Sequence, residues 1–279
     1  MEEFVAEKTH VPFKVALLAG GAAGTAVDVI LFPLDTIKTR LQSEAGFIKS
    51  GGIRGVYSGL LSAALGSAPG ASLFFVAYET SKSIYGSLVQ HEGLQSIGHM
   101  MAATLGEVTA CLVRVPVEVV KQRTQVFSTS SSLESFRYTL RSEGLRGFYR
   151  GYASTVMREV PFSVIQFPLW EFMKSKVSEK TGQPVTAWQS SICGAVAGGT
   201  SAAITTPLDV AKTRIILAKK GSTVAKGDIG FVLRQVIHER GLPGLFSGMV
   251  PRVVWISIGG SIFLGVYEKV KIWASSVLK

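Results

Sequence analysis

A charged motif that begins with proline occurs three times in this chain and limits its possible folds more than any other feature. The copies are PLDTIKTR at residues 33–40, PVEVVKQR at 116–123 and PLDVAKTR at 207–214. Each copy is followed by a glycine-bounded loop motif, GGIRGVYSG (51–59), EGLRGFYRG (143–151) or RGLPGLFSG (240–248), and then by YETSK (78–82), WEFMK (170–174) or YEKVK (267–271). Three motifs in one order, three times over, indicate an internal threefold repeat.

The segments between these motifs are apolar enough for a membrane. Only 17% of the residues are charged, against roughly 25% in soluble domains, and several apolar segments reach the length of about 20 residues that crosses a bilayer. The sequence therefore predicts an all-α membrane protein with six transmembrane helices, two per repeat, around a central cavity. The predicted helices lie near 13–41, 60–88, 96–125, 153–178, 187–218 and 250–275.

We assign the whole chain, 1–279, to one domain, with repeat 1 at about 12–90, repeat 2 at about 94–180 and repeat 3 at about 186–279. Amphipathic surface helices are predicted near 133–143 and 228–239. The corresponding linker of repeat 1, SEAGFIKSGG, is shorter and rich in glycine. The sequence does not decide whether this linker forms a surface helix.

The acid and base of each proline motif lie at i and i+3, so they could pair within their own helix. Ionisable groups inside a membrane are costly, however, and normally face a bundle interior and one another. We therefore expect each acid to pair with the base of another repeat: Asp35 with Lys121, Glu118 with Lys212, and Asp209 with Lys38. The third motif would form a second ring at the opposite end: Glu79 with Lys174, Glu171 with Lys271, and Glu268 with Lys82. Two gates around one cavity predict a transporter.

These motifs resemble those of the mitochondrial carrier family over nearly the whole chain. The resemblance implies a multi-pass, six-helix barrel in the mitochondrial inner membrane that works as a monomer by alternating access, with cardiolipin at the loop glycines. It also implies that a glutamine one turn after the lysine braces the matrix gate; Gln42 and Gln125 match this position, whereas Ile216 does not. The loop motif departs from the family pattern at its acid positions, Gly51 and Arg240, and at Ser58 and Ser247, which replace the usual base.

A solute without threefold symmetry must be recognised by residues that differ between the repeats. Ahead of the motif prolines, Asp28, Glu107 and Arg114 have no charged counterparts in the other repeats. Seven residues after the loop glycines, the copies are Gly66, Arg158 and Trp255, and Glu159 follows the arginine. The family resemblance implies that substrate contacts these positions, and that an arginine–acid pair is similar to amino-acid-transporting members.

The residue types then suggest a solute. Arg158 can hold an α-carboxylate by two hydrogen bonds, and Glu159 can hold the α-amine. Trp255 can stack on a flat ring, with Gly66 leaving room for it, while Asp28 or Glu107 can face a further cationic centre. S-adenosylmethionine, with its adenine and its sulfonium, fits this description.

Other interpretations stay open at this point. Trp255 could merely pack the cavity wall, and Glu107 could be a structural partner of Arg114. A basic amino-acid carrier of the same fold is the nearest alternative; a proton leak and a membrane enzyme that uses S-adenosylmethionine are others. The sequence offers no metal-ligand cluster, glycine-rich cofactor turn or paired nucleophile and base, so we expect neither enzyme activity nor a cofactor. Despite a net charge of +10, no basic run is dense enough for nucleic acid.

Overall fold

The computed structural model describes the backbone of residues 13–88, 92–127 and 131–277. Within these ranges the regular structure is helical. In chain order the helices are α1 (Phe13–Gln42), α2 (Gly46–Lys49), α3 (Leu60–Leu88), α4 (Glu92–Val126), α5 (Ser132–Glu143), α6 (Leu145–Phe148), α7 (Tyr152–Thr181), α8 (Ala187–Ile204), α9 (Thr206–Leu217), α10 (Ile229–Gly244) and α11 (Met249–Val277).

The long helices match the six predicted segments, with one interruption. The fifth segment is divided at Thr205 into α8 and α9, just before Pro207, whereas α1 and α4 continue through the equivalent prolines, Pro33 and Pro116. The hydroxyl groups of Thr205 and Thr206 donate to the carbonyl oxygens of Ser201 and Ala202. Carbonyls beside the break are thus satisfied by side chains.

The long helices form a closed ring. Each of α1, α3, α4, α7, α8 and α11 packs against the next, and α11 packs against α1. Among the described residues no helix passes a length-and-hydropathy test for a membrane span on its own, whereas the pair Ile229–Gly244 and Met249–Ile262, bent by 75°, passes it together. Small residues allow close packing within the ring: a Cβ on Gly198 of α8 would lie 2.8 Å from the Ile256 side chain of α11.

Surface helices follow the proline-motif helices of all three repeats, although they differ in length. α5 begins after Ser131, whose side chain accepts a hydrogen bond from the backbone N–H of Glu134, and α10 begins after Asp228 in the same way. Val232 and Val236 of α10 pack on a buried cluster of α9. In repeat 1 the glycine-rich linker forms only the four-residue α2.

The last base of each proline motif anchors the linker that follows it. Arg123 Nη2 lies 3.1 Å from Glu143 Oε2, which occupies the acid position of the loop motif. In repeat 3 that position is Arg240, yet Arg214 Nη1 lies 2.5 Å from an oxygen of Glu239, one residue earlier. The acid that the motif lacks is therefore supplied by its neighbour.

In repeat 1 the last base of the proline motif, Arg40, is bound without a carboxylate from the described residues. The Arg40 guanidinium is 3% exposed and donates to the carbonyl oxygens of Gly52 (2.7 Å), Arg54 (2.6 Å) and, across the repeats, Gln125 (2.8 Å). Backbone carbonyl oxygens therefore satisfy its donors, where the other repeats use an acid. Arg40 is therefore hydrogen-bonded even though the motif has Gly51 in place of an acid.

Candidate transport site: a charge ring beneath a central cavity

The charged residues of the proline motifs meet in three ion pairs between repeats. Lys121 Nζ lies 2.8 Å from Asp35 Oδ2, Lys212 Nζ lies 2.7 Å from Glu118 Oε1, and Lys38 Nζ lies 2.8 Å from Asp209 Oδ2. We call these six side chains the charge ring. Its pairing is the one expected from the repeat order, and it links α1, α4 and α9 across the centre of the helix ring.

Glutamines contact each acid of the charge ring. Gln125 Nε2 donates to Asp35 Oδ2 at 3.0 Å, and Gln42 Nε2 donates to Asp209 Oδ2 at 2.8 Å. Repeat 3 has Ile216 at the corresponding position, and Glu118 accepts instead from Gln122 Nε2, 2.8 Å away on its own helix. Sequence comparison between the repeats missed Gln122; its spacing of four residues from Glu118 was the available signal.

The loop glycines fit closely against the proline-motif helices of other repeats. Gly59, Gly151 and Gly248 all have positive φ, at 96°, 85° and 75°, which side chains rarely adopt. A Cβ on Gly59 would lie 3.1 Å from the carbonyl oxygen of Lys121, and one on Gly248 would lie 3.2 Å from that of Lys38. These turns thereby hold the lysine-bearing segments of the charge ring.

The opposite end of the ring of helices is described only in part. Lys174 Nζ lies 2.7 Å from Glu171 Oε1 in the same helix, α7, and 3.9 Å from the centre of the Trp170 ring. The side chains of Glu79, Lys82, Glu268 and Lys271 lie outside the described part. The second ring therefore stays a prediction, and its one described acid and base pair locally.

A cavity of about 760 Å³ lies above the charge ring, which forms part of its lining. This volume is in the range of small-molecule sites, roughly 300–1,000 Å³. The cavity brings together six of the seven predicted solute-contacting residues, Asp28, Gly66, Arg114, Arg158, Glu159 and Trp255. Glu107 is attached to it through Arg114.

Most of the cavity's charged side chains form one continuous network. Arg114 Nη1 bonds Glu107 and lies 3.6 Å from Glu159 Oε1. Arg158 Nη2 bonds Glu159, while its Nε lies 3.8 Å from Asp209 Oδ1. The network therefore runs from α4 through α7 to an acid of the charge ring on α9.

Asp28 differs from the other acids of the cavity. It lines the cavity from α1, and no ion pair within 4 Å joins it to a described side chain. Glu107, the other candidate for a cationic centre, is paired with Arg114. Of the two candidates, Asp28 is thus the acid without an ion-pair partner.

Gly66 also has a packing role. A Cβ at this position would lie 2.4 Å from the Val117 side chain, so the glycine lets α3 approach α4 closely. Gly66 lines the cavity as well, and its place beside a flat ring of the solute stays a prediction. Trp255 lines the same cavity from α11.

Six long helices surround a charged cavity that is closed beneath by a ring of ion pairs, an arrangement suited to a membrane transporter. Comparison with known proteins identifies the class: the family model described as mitochondrial carrier protein matches residues 9–48, 45–88, 92–181 and 183–277. The chain belongs to the mitochondrial carrier family. Its fold is six transmembrane helices in three repeats, as predicted from the sequence.

Family members are transporters rather than enzymes, and this chain is a carrier of the mitochondrial inner membrane. It is similar to proteins named mitochondrial S-adenosylmethionine carrier protein from Xenopus laevis, 59% identical over 92% of this chain and 96% of the relative, and from Mus musculus, 55% identical over 93% and 94%. A Drosophila melanogaster protein named S-adenosylmethionine mitochondrial carrier protein homolog is 52% identical over 91% and 90%.

Proposed function

We propose that this protein imports S-adenosylmethionine into the mitochondrial matrix in exchange for S-adenosylhomocysteine, by alternating access. The names of its relatives, 59% and 55% identical, support the first solute. Independent support comes from the cavity, where one arginine–acid pair, one acid without an ion-pair partner and one tryptophan face the same space. This set of groups matches the ionic and aromatic parts of S-adenosylmethionine.

The amino-acid end of the solute is assigned to α7. Arg158 binds the α-carboxylate, because a guanidinium presents paired donors to two carboxylate oxygens. Glu159 binds the α-amine, and on solute binding the ammonium replaces part of its contact with Arg158. Arg114 lies between the two helices and contacts both Glu107 and Glu159.

The sulfonium and the adenine of the solute are assigned to α1 and α11. Asp28 faces the sulfonium, since Glu107 already has a cationic partner and a half-buried carboxylate with no ion-pair partner among the described residues is stabilised by an added cation. Trp255 stacks on the adenine, an interaction worth about 1–3 kcal/mol per base in other proteins. S-adenosylhomocysteine has the same carboxylate, amine and adenine but no positive sulfur, so it would use the same site without the Asp28 interaction.

Alternating access uses the two rings as gates. The charge ring, Asp35, Lys38, Glu118, Lys121, Asp209 and Lys212, is the matrix gate, braced by Gln42 and Gln125 and further by Gln122. Glu79, Lys82, Glu171, Lys174, Glu268 and Lys271 would form the cytoplasmic gate. With the matrix gate paired and Lys174 bonded within its own helix, this conformation corresponds to the state that receives solute from the cytoplasmic side.

We further propose that the protein works as a monomer and binds cardiolipin at the turns of Gly59, Gly151 and Gly248. The assigned repeat boundaries remain a prediction. A basic amino-acid carrier is the second candidate, because Arg158, Glu159 and the extra acid would also suit lysine or arginine. Such a carrier would not need Trp255 to stack on a purine.

Uptake into liposomes separates these proposals. Purified protein is reconstituted with or without internal S-adenosylhomocysteine, and uptake of radiolabelled S-adenosylmethionine is compared with that of lysine, arginine and ATP. We expect saturable uptake of S-adenosylmethionine that internal S-adenosylhomocysteine stimulates. Uptake of lysine or arginine without S-adenosylmethionine would instead identify the basic amino-acid carrier.

A further inference from the structure

A second arginine borders the solute cavity close to Arg158. Arg252 lies in α11, four residues after the loop glycine Gly248, and is 3% exposed. The equivalent positions of the other repeats are Ala63 and Thr155. Arg252 is therefore a residue that breaks the threefold symmetry, and it lines the cavity.

Contacts fix most of the Arg252 guanidinium but leave one nitrogen free. Nη2 donates to Thr205 Oγ1 at 2.9 Å, and the guanidinium carbon lies 5.8 Å from the centre of the Phe162 ring. Nε lies 4.0 Å from Asp209 Oδ2, the oxygen that also binds Lys38. Buried Nη1 has no hydrogen-bond partner within the described part of the chain.

Arg158 stands in the same surroundings. Its guanidinium carbon lies 6.0 Å from the centre of the same Phe162 ring, and its Nε, 3.8 Å from Asp209 Oδ1, likewise has no hydrogen-bond partner among the described residues. Two guanidinium groups therefore share one aromatic ring and one carboxylate. Each retains a buried donor without a hydrogen bond.

The local charge balance also favours an anion. Asp209 is surrounded by three cations, Lys38, Arg158 and Arg252, of which Arg158 has a second acid, Glu159. Buried charges and donors without partners are costly. A carboxylate that accepted from both guanidinium groups would supply the missing acceptor and the missing negative charge together.

We propose that Arg252 is a second carboxylate-binding residue, which with Arg158 clamps the solute's α-carboxylate while Phe162 and Thr205 hold the two guanidinium groups in place. This inference rests on the proposed function, because it names the group of S-adenosylmethionine that is bound. A guanidinium suits the role better than an ammonium, since its planar donors can bind a carboxylate and a threonine hydroxyl at once.

Transport kinetics of Arg252 variants test the clamp with two solutes, S-adenosylmethionine and its analogue that lacks only the carboxylate. We expect Arg252→Gln to raise KM for S-adenosylmethionine by about 10- to 100-fold, the loss typical for hydrogen bonds to charged groups. KM for the analogue should stay nearly unchanged. Arg252→Lys should lie between the wild type and Arg252→Gln for S-adenosylmethionine.

Controls separate this result from a general defect. Arg234→Gln removes one positive charge from the exposed face of α10 and should leave both KM values as in the wild type. Thermal unfolding of each variant shows whether it is folded, and Arg252→Lys retains the buried charge should Arg252→Gln be unstable. Equal losses of Vmax for both solutes at unchanged KM would mean that Arg252 acts on Asp209 and the gate, which overturns the inference.

Failure of the proposed function would look different. In that case the wild-type protein itself would show no saturable uptake of S-adenosylmethionine. The same comparison is then made with lysine and lysine amide, which differ at the carboxylate. If Arg252→Gln raised KM for lysine but not for lysine amide, the carboxylate clamp would be supported. An equal rise in KM for lysine and lysine amide would contradict it.

Discussion

The charge ring and the cavity above it both contain acidic and basic side chains, but these are paired regularly in the ring and unevenly in the cavity. In the ring, three acids meet three lysines from other repeats, and each acid accepts from a glutamine. In the cavity, Glu107, Arg114, Arg158 and Glu159 are joined on α4 and α7, whereas Asp28 on α1 has no ion pair with a described side chain. The regular pairing of the charge ring suits a gate whose ion pairs break together. The uneven pairing in the cavity suits recognition of one solute.

Asp209 belongs to both regions, so its loss should have the largest effect. Asp209→Asn leaves Lys38 without its acid and removes the carboxylate that lies 4.0 Å from Arg252. Removing one partner of a buried ion pair costs about 3–5 kcal/mol of unfolding free energy. We expect a fall in thermal stability and a loss of uptake for every solute, measured by thermal unfolding and initial rates.

Glu118→Gln is the matched comparison, because Glu118 lies in the ring but is contacted by one lysine. It should slow uptake of all solutes while retaining more stability than Asp209→Asn. If the two variants were equally stable, Asp209 would have no special position between ring and cavity.

Trp255→Leu tests recognition by the cavity without touching a charge. Loss of stacking should raise KM for S-adenosylmethionine by about 5- to 150-fold, the equivalent of about 1–3 kcal/mol. The ring is intact in this variant, so Vmax should change little. An unchanged KM would show that Trp255 only packs the cavity wall.

The glutamines of the ring should give the smallest effect. Gln42→Leu removes a donor to Asp209, and Gln122→Leu removes one to Glu118. Each hydrogen bond to a carboxylate contributes about 1.5–3 kcal/mol, so both variants should unfold at lower temperature than the wild type while keeping the same preference among solutes. A changed preference would contradict the division between ring and cavity.

Much of this architecture follows from the repeats. The long helices and the pairing of the charge ring could be predicted because each depends on a residue that recurs at a fixed place in the repeat, and two of the ring's glutamines were predicted from the family resemblance. The residues that meet at the cavity were found from departures from that symmetry. Neither inference required knowledge of how side chains pack.

Features that depend on packing between helices could not be predicted. Glu239 binds Arg214 from one residue outside the motif position, and Gln122 contacts Glu118 from within its own helix. Gly66 is also needed for the close approach to Val117 on the neighbouring helix. Arg252 follows a proline in a segment without a distinctive pattern, and its significance comes from Thr205, Phe162 and Asp209 on other helices.

The most direct test of the central claim is the preference of Asp28→Asn for S-adenosylmethionine over S-adenosylhomocysteine, measured as the ratio of their inhibition constants for uptake into liposomes. The two solutes differ at the sulfur, where only S-adenosylmethionine is positive, and the asparagine retains the size of the side chain. The account predicts that this ratio moves toward S-adenosylhomocysteine while the maximal rate of exchange changes little. An unchanged ratio would contradict the assignment of Asp28 to the sulfonium, and with it the claim that the unpaired acid of the cavity selects the solute.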